Sequence, residues 1–479
     1  MKVETKILAL CSSTEVWERY GFYAVQSLLA LILSLHFSLD DSAVFALTGA
    51  FTALTYISPI VGGWIADRYI GQRHSIALGA LLLFLSYTLI MFCSDIHSLS
   101  FALSITVMGT GLLKPNTSTW LGAPYTDLNK KNRAFIFFYL SITTGIILGS
   151  SLPTTLMHHY GWKTCFASAS IPLAIALTIF LSYAYRQDFK TFDTLMTYPS
   201  PIDCLKTLVI VITGLYIFRL ALTNTNFSFI FFFLILITAI GTMLHIAHKE
   251  DLKQKRKTQA LSLLMITSTF FWSFYFQIFT EITLYIQRLV RPRLFGLHAT
   301  PPIYVAIESA GMLVLGGIYL LLRRKKNPPP VTITHISLRF LTALFLMLAA
   351  YGIILFSLYL HLGSFQLFSP WPMVCAFLTI SLAELLLSPT GLAAVTTLAR
   401  EQVAGTVMGV FFITLGFGGF LSGLMARLSS IHHTSNTSII KQVYWHGLSK
   451  IGLILCATCL IAIIIHYMVR RLTVELNYI

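Results

Sequence analysis

Apolar runs alternate with short polar connections along the whole chain. They fall near 7–37, 43–66, 75–94, 98–122, 134–156, 163–185, 204–223, 226–247, 259–288, 302–322, 337–361, 370–394, 403–428 and 444–469. Each is close to the roughly twenty residues that a helix needs to cross the hydrocarbon core of a bilayer. The pattern predicts an all-α polytopic membrane protein with about fourteen transmembrane helices, and its connections leave no room for a separate soluble domain. The expected organisation is a six-helix bundle over 1–190, a two-helix insertion over 200–250 and a second six-helix bundle over 258–479.

Composition sharpens this picture. Of 479 residues, 56% are hydrophobic and 11% charged, against roughly 25% charged in soluble domains, and mean hydropathy is +0.77. The net charge of +15 does not point to nucleic acid, because the cations cluster in alternate short loops. Lys2 and Lys6 precede the first run, Arg68 and Arg73 follow the second, and Lys130, Lys131 and Arg133 follow the fourth. Lys249, Lys253, Lys255, Arg256 and Lys257 follow the eighth, Arg323, Arg324, Lys325 and Lys326 the tenth, and Arg470 and Arg471 the last. All lie on one side if both termini are cytoplasmic. Arg288, Arg291 and Arg293 oppose the rule and are outvoted.

The first run is too long and too charged for a cleaved signal peptide. The seven cysteines include a CxxC at Cys456 and Cys459, inside an apolar run and without a second ligand pair, which reads as packing. The pairs His158–His159 and His432–His433 lie near loops and read as solvated. With no nucleophile–base pair and no metal-spaced set, neither an enzyme nor a resident cofactor or metal is expected.

Charge inside the apolar runs stands out against this background. Glu15, Glu18, Arg19, Phe22, Tyr23 and Gln26 recur at spacings of three and four, so they share one face of the first helix. Ionisable groups in a membrane are costly and persist where they pair or line a pathway. Lys114 follows Gly109 and Gly111 and precedes Pro115 and Asn116, while Glu384 precedes Ser388, Pro389, Thr390 and Gly391. These are corresponding positions of the two halves, with opposite charge, and the following proline predicts a helix break of the kind that builds a transporter site. A plainer alternative is that Lys114 and Glu384 only hold the halves together.

The loop after the second run carries Gly62, Gly63, Ala66, Asp67, Arg68, Gly71 and Arg73. Small residues permit close helix approach. The stretch resembles the loop signature of the major facilitator superfamily, which makes Gly63, Asp67 and Arg68 candidate cytoplasmic gate residues. Gly316–Gly317 echoes this stretch, and Gly416, Gly418 and Gly419 echo Gly145 and Gly149, as two bundles rocking about a central site would require.

Taken together, these motifs, with Phe138–Tyr139, Phe271–Trp272 and Gln277, resemble the proton-dependent oligopeptide transporter family, in bacterial form with two extra helices. The resemblance runs from about residue 12 to 425. It implies a proton-coupled importer of di- and tripeptides in the cytoplasmic (inner) membrane, working by alternating access as a monomer, with protons as the coupling ion. It further implies that Arg19 and Lys114 hold the substrate carboxylate, that Tyr23 and Tyr56 add hydrogen bonds, and that Glu384 binds the substrate ammonium. Glu15 and Glu18 would exchange protons and couple to Lys114. Tyr23, Tyr56, Trp272 and Trp371 could form tolerant aromatic walls, and the tryptophans could equally be interface anchors.

There are three departures from the family pattern, and those at Thr143 and Phe276 keep open a same-fold carrier of another small solute, such as an amino-acid derivative, drug or anion. Gln26 stands where the family usually has Arg, Phe276 where it has Glu, and Thr143 where it has Asn. Glu281 and Glu308 could be replacement proton sites or gate partners, for Arg288 or Arg291, or plain interface carboxylates.

Overall fold

A computed structural model of the chain describes residues 3–185, 199–323, 332–364, 366–431 and 436–476. Lys2, Arg324, Lys325, Lys326, His432 and His433 lie outside the described residues. The helices are α1 (Val3–Leu31), α2 (Asp41–Ile65), α3 (Gly71–Ile90), α4 (Ile96–Gly122), α5 (Leu128–Tyr160), α6 (Trp162–Ala184), α7 (Pro201–Thr223) and α8 (Thr225–Lys249). Then come α9 (Leu252–Tyr275), α10 (Glu281–Leu289), α11 (Pro301–Arg323), α12 (Ile333–Tyr359), α13 (Trp371–Leu398), α14 (Ala404–Ala426) and α15 (Thr437–Leu476). A two-stranded hairpin, Arg293–Leu294 with Leu297–His298, turns at Phe295 and Gly296, both at positive φ.

Twelve stretches of the described residues are long and apolar enough to cross a membrane. One of them, Asp41–Ile90, holds both α2 and α3, and α1 with its central charges stands outside the twelve. Within hydrocarbon no water meets a stray hydroxyl. Serines and threonines accordingly bond back to their own helix, as Thr14 does to the Leu10 carbonyl at 2.9 Å and Thr48 to that of Val44 at 2.8 Å. Several helix starts carry side-chain caps, α4 an Asp95–Ser98 capping box and α7 Ser200 with Pro201 following.

The chain divides into two compact units, Met1–Leu29 with Leu54–Ser228, and Ala30–Ala53 with Phe229–Ile479. In the first, α3 lies along α4 and α6, α5 along α6, and α7 along α4. In the second, α12 packs on α13 and α15, α9 on α14, and α11 on α13. The end of α1 and the start of α2 thus cluster with the second unit.

Two expectations about helix continuity are reversed. Pro115 and Pro389 do not break their helices; α4 and α13 run through both. Pro115 has no N–H for the Gly111 carbonyl. Gly62 of α2 backs onto that carbonyl, so closely that a Cβ there would lie 1.9 Å from the oxygen. The Gly62 Cα–H groups cover what the proline frees, and Asn116 Nδ2 donates to the Gly62 and Leu112 carbonyls at 3.3 and 2.6 Å. Conversely, the run at 259–288 is not one helix. It breaks between α9 and α10 through a 3-10 turn, Phe276–Phe279, and Thr280 at φ −118° and ψ −101°. Thr283 Oγ1 meets the disrupted backbone by donating to the Ile278 carbonyl at 2.6 Å, and Gln277 Nε2 ties the turn to α14 by donating to the Ser422 carbonyl at 3.1 Å.

Gly62→Ala should therefore force α2 off α4, at or above the upper end of the ~1–3 kcal/mol typical of overpacking. Gly63, whose Cβ would have its nearest neighbour at 4.0 Å, should accept alanine freely. Size-exclusion profiles after heating in detergent check the pair: the first variant should aggregate earlier than its parent, the second should match it.

Candidate functional site

The charged face of α1 is held by glycines of α5. A Cβ on Gly145 would meet Arg19 Cβ at 2.6 Å, and one on Gly149 the Tyr20 carbonyl oxygen at 2.4 Å. Only bare backbone lets the helices approach this closely, and that approach buries Arg19 to 4% exposure. Thr143, on the same helix, bonds to its own Tyr139 carbonyl at 3.1 Å.

Arg19 is fully engaged by acids. Its Nε donates to Glu18 Oε2, its Nη2 to Glu18 Oε1 at 2.5 Å, and Nε lies 3.4 Å from Glu15 Oε1. The guanidinium carbon sits 4.9 Å from the Phe22 ring centre. Glu15 Oε2 is buried without a donor among the described residues. Lys114 of α4 points its Nζ at the Tyr56 ring, 5.1 Å from the centre, and interacts electrostatically with Arg19, Glu18 and Glu15. Tyr23 is partly exposed, set edge-on to Phe22 and in electrostatic contact with Arg19. The first unit thus gathers Glu15, Glu18, Arg19, Tyr23, Tyr56 and Lys114.

With both acids ionised and both bases protonated, this cluster is neutral. A further anion entering it would be a third negative charge against two positive ones in a poorly solvated place, which is strongly unfavourable. Adding one proton to Glu15 or Glu18 restores the balance and releases donors of Arg19 that are now occupied. The arrangement can therefore exchange a proton for an anion-binding position.

The second unit carries the opposite chemistry. Glu384 of α13 is partly exposed and hydrogen-bonds Tyr275 of α9 and the carboxyl of Glu308 on α11. Trp272 is buried and stacked on Phe276, with centroids 5.4 Å apart and planes at 26°. Trp371 is different: it is exposed at the start of α13, edge-on to Phe295, as an interface anchor would be. Glu281 is buried at the first position of α10 and bonds the Ser429 hydroxyl, while its Oε2 has no donor among the described residues.

Neither Glu281 nor Glu308 pairs with the arginines at 288 and 291. Glu281 stands seven residues before Arg288, about 10 Å away along the helix axis. Arg288 instead grips Asp41 at the start of α2 with two bonds of 2.7 Å, and donates to Tyr444 Oη at 3.1 Å. Asp41 Oδ2 also accepts from the Ile431 N–H at 2.9 Å. Arg291 Nε donates to the Leu367 carbonyl at 3.2 Å. Sequence reasoning missed Asp41 as a partner. The available signal was the excess of cations at 288–293 on an otherwise cation-poor side, which asks for a nearby acid.

The motif between α2 and α3 occupies a widened turn, Ala66–Ile70. Gln72 Nε2 donates to Asp67 Oδ1 at 3.3 Å, Arg68 lies over the Trp64 ring at 5.8 Å, and Arg73 Nη1 donates to the Ala184 carbonyl at 3.1 Å. Gly63 faces Pro115. Cys459 is buried with its Sγ 3.8 Å from the Leu344 carbonyl, and Cys456 is exposed.

A sequence profile described as the POT family matches residues 73–445. Dipeptide and tripeptide permease A of Proteus mirabilis is 24% identical over 486 residues, covering 97% of this chain and 95% of the relative. Dipeptide and tripeptide permease B of Salmonella typhimurium is 27% identical, covering 96% and 94%. In fold, a crystal structure of tetrameric PepTSo2 superposes with a TM-score of 0.83 at 23% identity, covering 98% of this chain and 100% of that one. A peptide transporter POT in complex with sulfate gives 0.82 at 23%, covering 98% and 96%.

Proposed function

The chain belongs to the POT family, and from that premise we propose that it imports di- and tripeptides together with protons, by alternating access, across the cytoplasmic membrane. Family membership agrees with the resemblance read from its motifs, and the all-helical transporter fold with its pattern of apolar runs. The substrate follows from relatives named as dipeptide and tripeptide permeases along nearly their whole length. The cation bias of the loops supports cytoplasmic termini.

One observation carries the coupling: Arg19 is occupied by Glu18 and Glu15 in a cluster of two acidic and two basic side chains. A proton arriving from outside neutralises one carboxylate. Arg19 and Lys114 then accept the peptide carboxylate, Tyr23 and Tyr56 add hydrogen bonds, and Glu384 takes the ammonium. After inward release, the proton leaves to the cytoplasm and the carboxylate returns to Arg19. Asp67, Arg68 and Gly63 serve the cytoplasmic closure. Glu281, buried and half-satisfied, is a further place for a proton.

Uptake of dialanine into proteoliposomes under an imposed inward proton gradient tests the reading. Accumulation above the outside concentration is expected, abolished by a protonophore. If dialanine and trialanine neither accumulate nor compete, while an amino-acid derivative or inorganic anion does, the chain is a carrier of that other solute.

A further inference from the structure

Glu308 has no part in the cycle above, yet it is buried against the residue assigned to the substrate ammonium. The side chains of Glu308 on α11 and Glu384 on α13 are hydrogen-bonded to each other. Two carboxyl groups can share a hydrogen bond only if one of them carries a proton, since bare carboxylates offer acceptors alone. The surroundings of Glu308 suit a neutral acid. Its Oε2 accepts from Ser309 Oγ at 3.1 Å, and its Oε1 has no N–H or hydroxyl donor among the described residues. Its position is set by Ser381, whose hydroxyl donates to the Glu308 carbonyl at 2.6 Å.

No cation offsets a second negative charge there. Among the described residues, the titratable partner of the pair is Tyr275 of α9, bonded to Glu384. On α12, Arg339 is turned to Thr390 Oγ1 at 3.3 Å and Tyr351 donates to the Phe274 carbonyl at 3.0 Å. Tyr304, one turn before Glu308, packs on Phe377, Glu281 of α10 is bonded to Ser429, and α14 has no ionisable side chain.

Burial then decides where the proton sits. Glu308 is 1% exposed, whereas Glu384 is only partly covered. A charge is tolerated where water reaches it, and a proton is retained where water does not. We propose that Glu308 is a positioning residue, a resident neutral acid whose O–H donates to the Glu384 carboxylate and, with the Tyr275 hydroxyl, holds it ready for a substrate ammonium. The amino pole therefore presents one negative charge from two carboxyls, and it suits substrates with a single free amino terminus. This rests on the assignment of Glu384 as the ammonium acceptor.

Binding of dialanine and of N-acetyl-dialanine to the purified full chain, measured by calorimetry from pH 6 to 9, tests it. Parent, Glu308→Gln and Glu308→Leu are compared. An amide also donates to a carboxylate, so Glu308→Gln should bind dialanine within a few-fold of the parent at neutral pH. Glu308→Leu should lose about tenfold or more for dialanine, as a hydrogen bond to a charged group warrants, and little for the N-acetyl peptide. If Glu308→Leu does not fold, Glu308→Gln decides alone: dialanine binding within a few-fold of the parent with accumulation retained supports the inference, and a roughly tenfold loss of dialanine binding or lost accumulation overturns it. The inference is overturned if Glu308→Gln loses as much as Glu308→Leu, or if Glu308→Gln binds normally but no longer accumulates peptide under a proton gradient. The last result would make the proton a transported one. A parent that binds neither peptide sinks the peptide reading itself, and is distinguished by being scored before any variant.

Discussion

Replacing Glu18 by glutamine should abolish concentrative uptake and leave peptide exchange intact. In the parent, Glu18 closes both of its oxygens on Arg19, so the cationic pole opens only when a proton arrives. Glutamine is a permanent copy of the protonated state. Arg19 then keeps only Glu15 as a partner and its other donors are open to a substrate carboxylate at any pH, while position 18 can no longer return a proton to either side. A potential of 100 mV is worth about 2.3 kcal/mol per charge, which allows a roughly fortyfold gradient for one net charge moved per cycle. The variant should instead bring peptide inside only to the outside concentration. Counterflow against preloaded peptide should proceed at a rate comparable to that of the parent, which separates lost coupling from lost folding. Concentrative uptake by Glu18→Gln equal to the parent's would remove Glu18 from the coupling mechanism.

Breaking the Asp41–Arg288 pair should strongly destabilise the second unit. The pair makes two charge-assisted bonds, with Asp41 3% and Arg288 22% exposed, and each partner holds a further group, the Ile431 N–H and the Tyr444 hydroxyl. Arg288→Ala leaves a buried carboxylate without its counter-charge, a loss of roughly 3–5 kcal/mol for a buried pair and toward the lower end here because Arg288 reaches water. Asp41→Ala should cost less, since the arginine can turn to solvent. The double replacement should be better than the sum of the two, by at least about 1 kcal/mol, as groups in direct contact couple. Thermal unfolding of the four proteins in one detergent measures this. Strict additivity would mean that the two residues act independently, and that α2 is held to α10 by packing alone.

These two predictions differ in how far the linear chain foretold them. The face shared by Glu15, Glu18 and Arg19 follows from spacing, because a helix repeats every 3.6 residues wherever it lies. The Asp41–Arg288 contact joins residues 247 apart, and no local rule selects Asp41 over its neighbour Asp40. The same holds for Glu308 and Glu384: each was noticed as an acid in an apolar run, but their shared hydrogen bond depends on the register of α11 against α13. The break at Phe276–Thr280 escaped notice because hydropathy registers side chains, and this kink is stabilised by polar groups of α14. Pro115 misled in the opposite sense, because the group that covers its freed carbonyl, Gly62, lies on another helix.

The order of apolar and polar residues determined, by itself, that the chain crosses a membrane many times as helices. The bilayer imposes a one-dimensional requirement: each crossing must satisfy its own backbone hydrogen bonds within a fixed length. The same order determined which helix face carries charge. Tertiary structure alone decided which charges meet, which carboxyl group lies against which, and where a helix bends or stays straight beside a proline. Those outcomes depend on donors and acceptors supplied from distant parts of the chain, and a buried polar group is fixed by its partner, not by its neighbours in sequence.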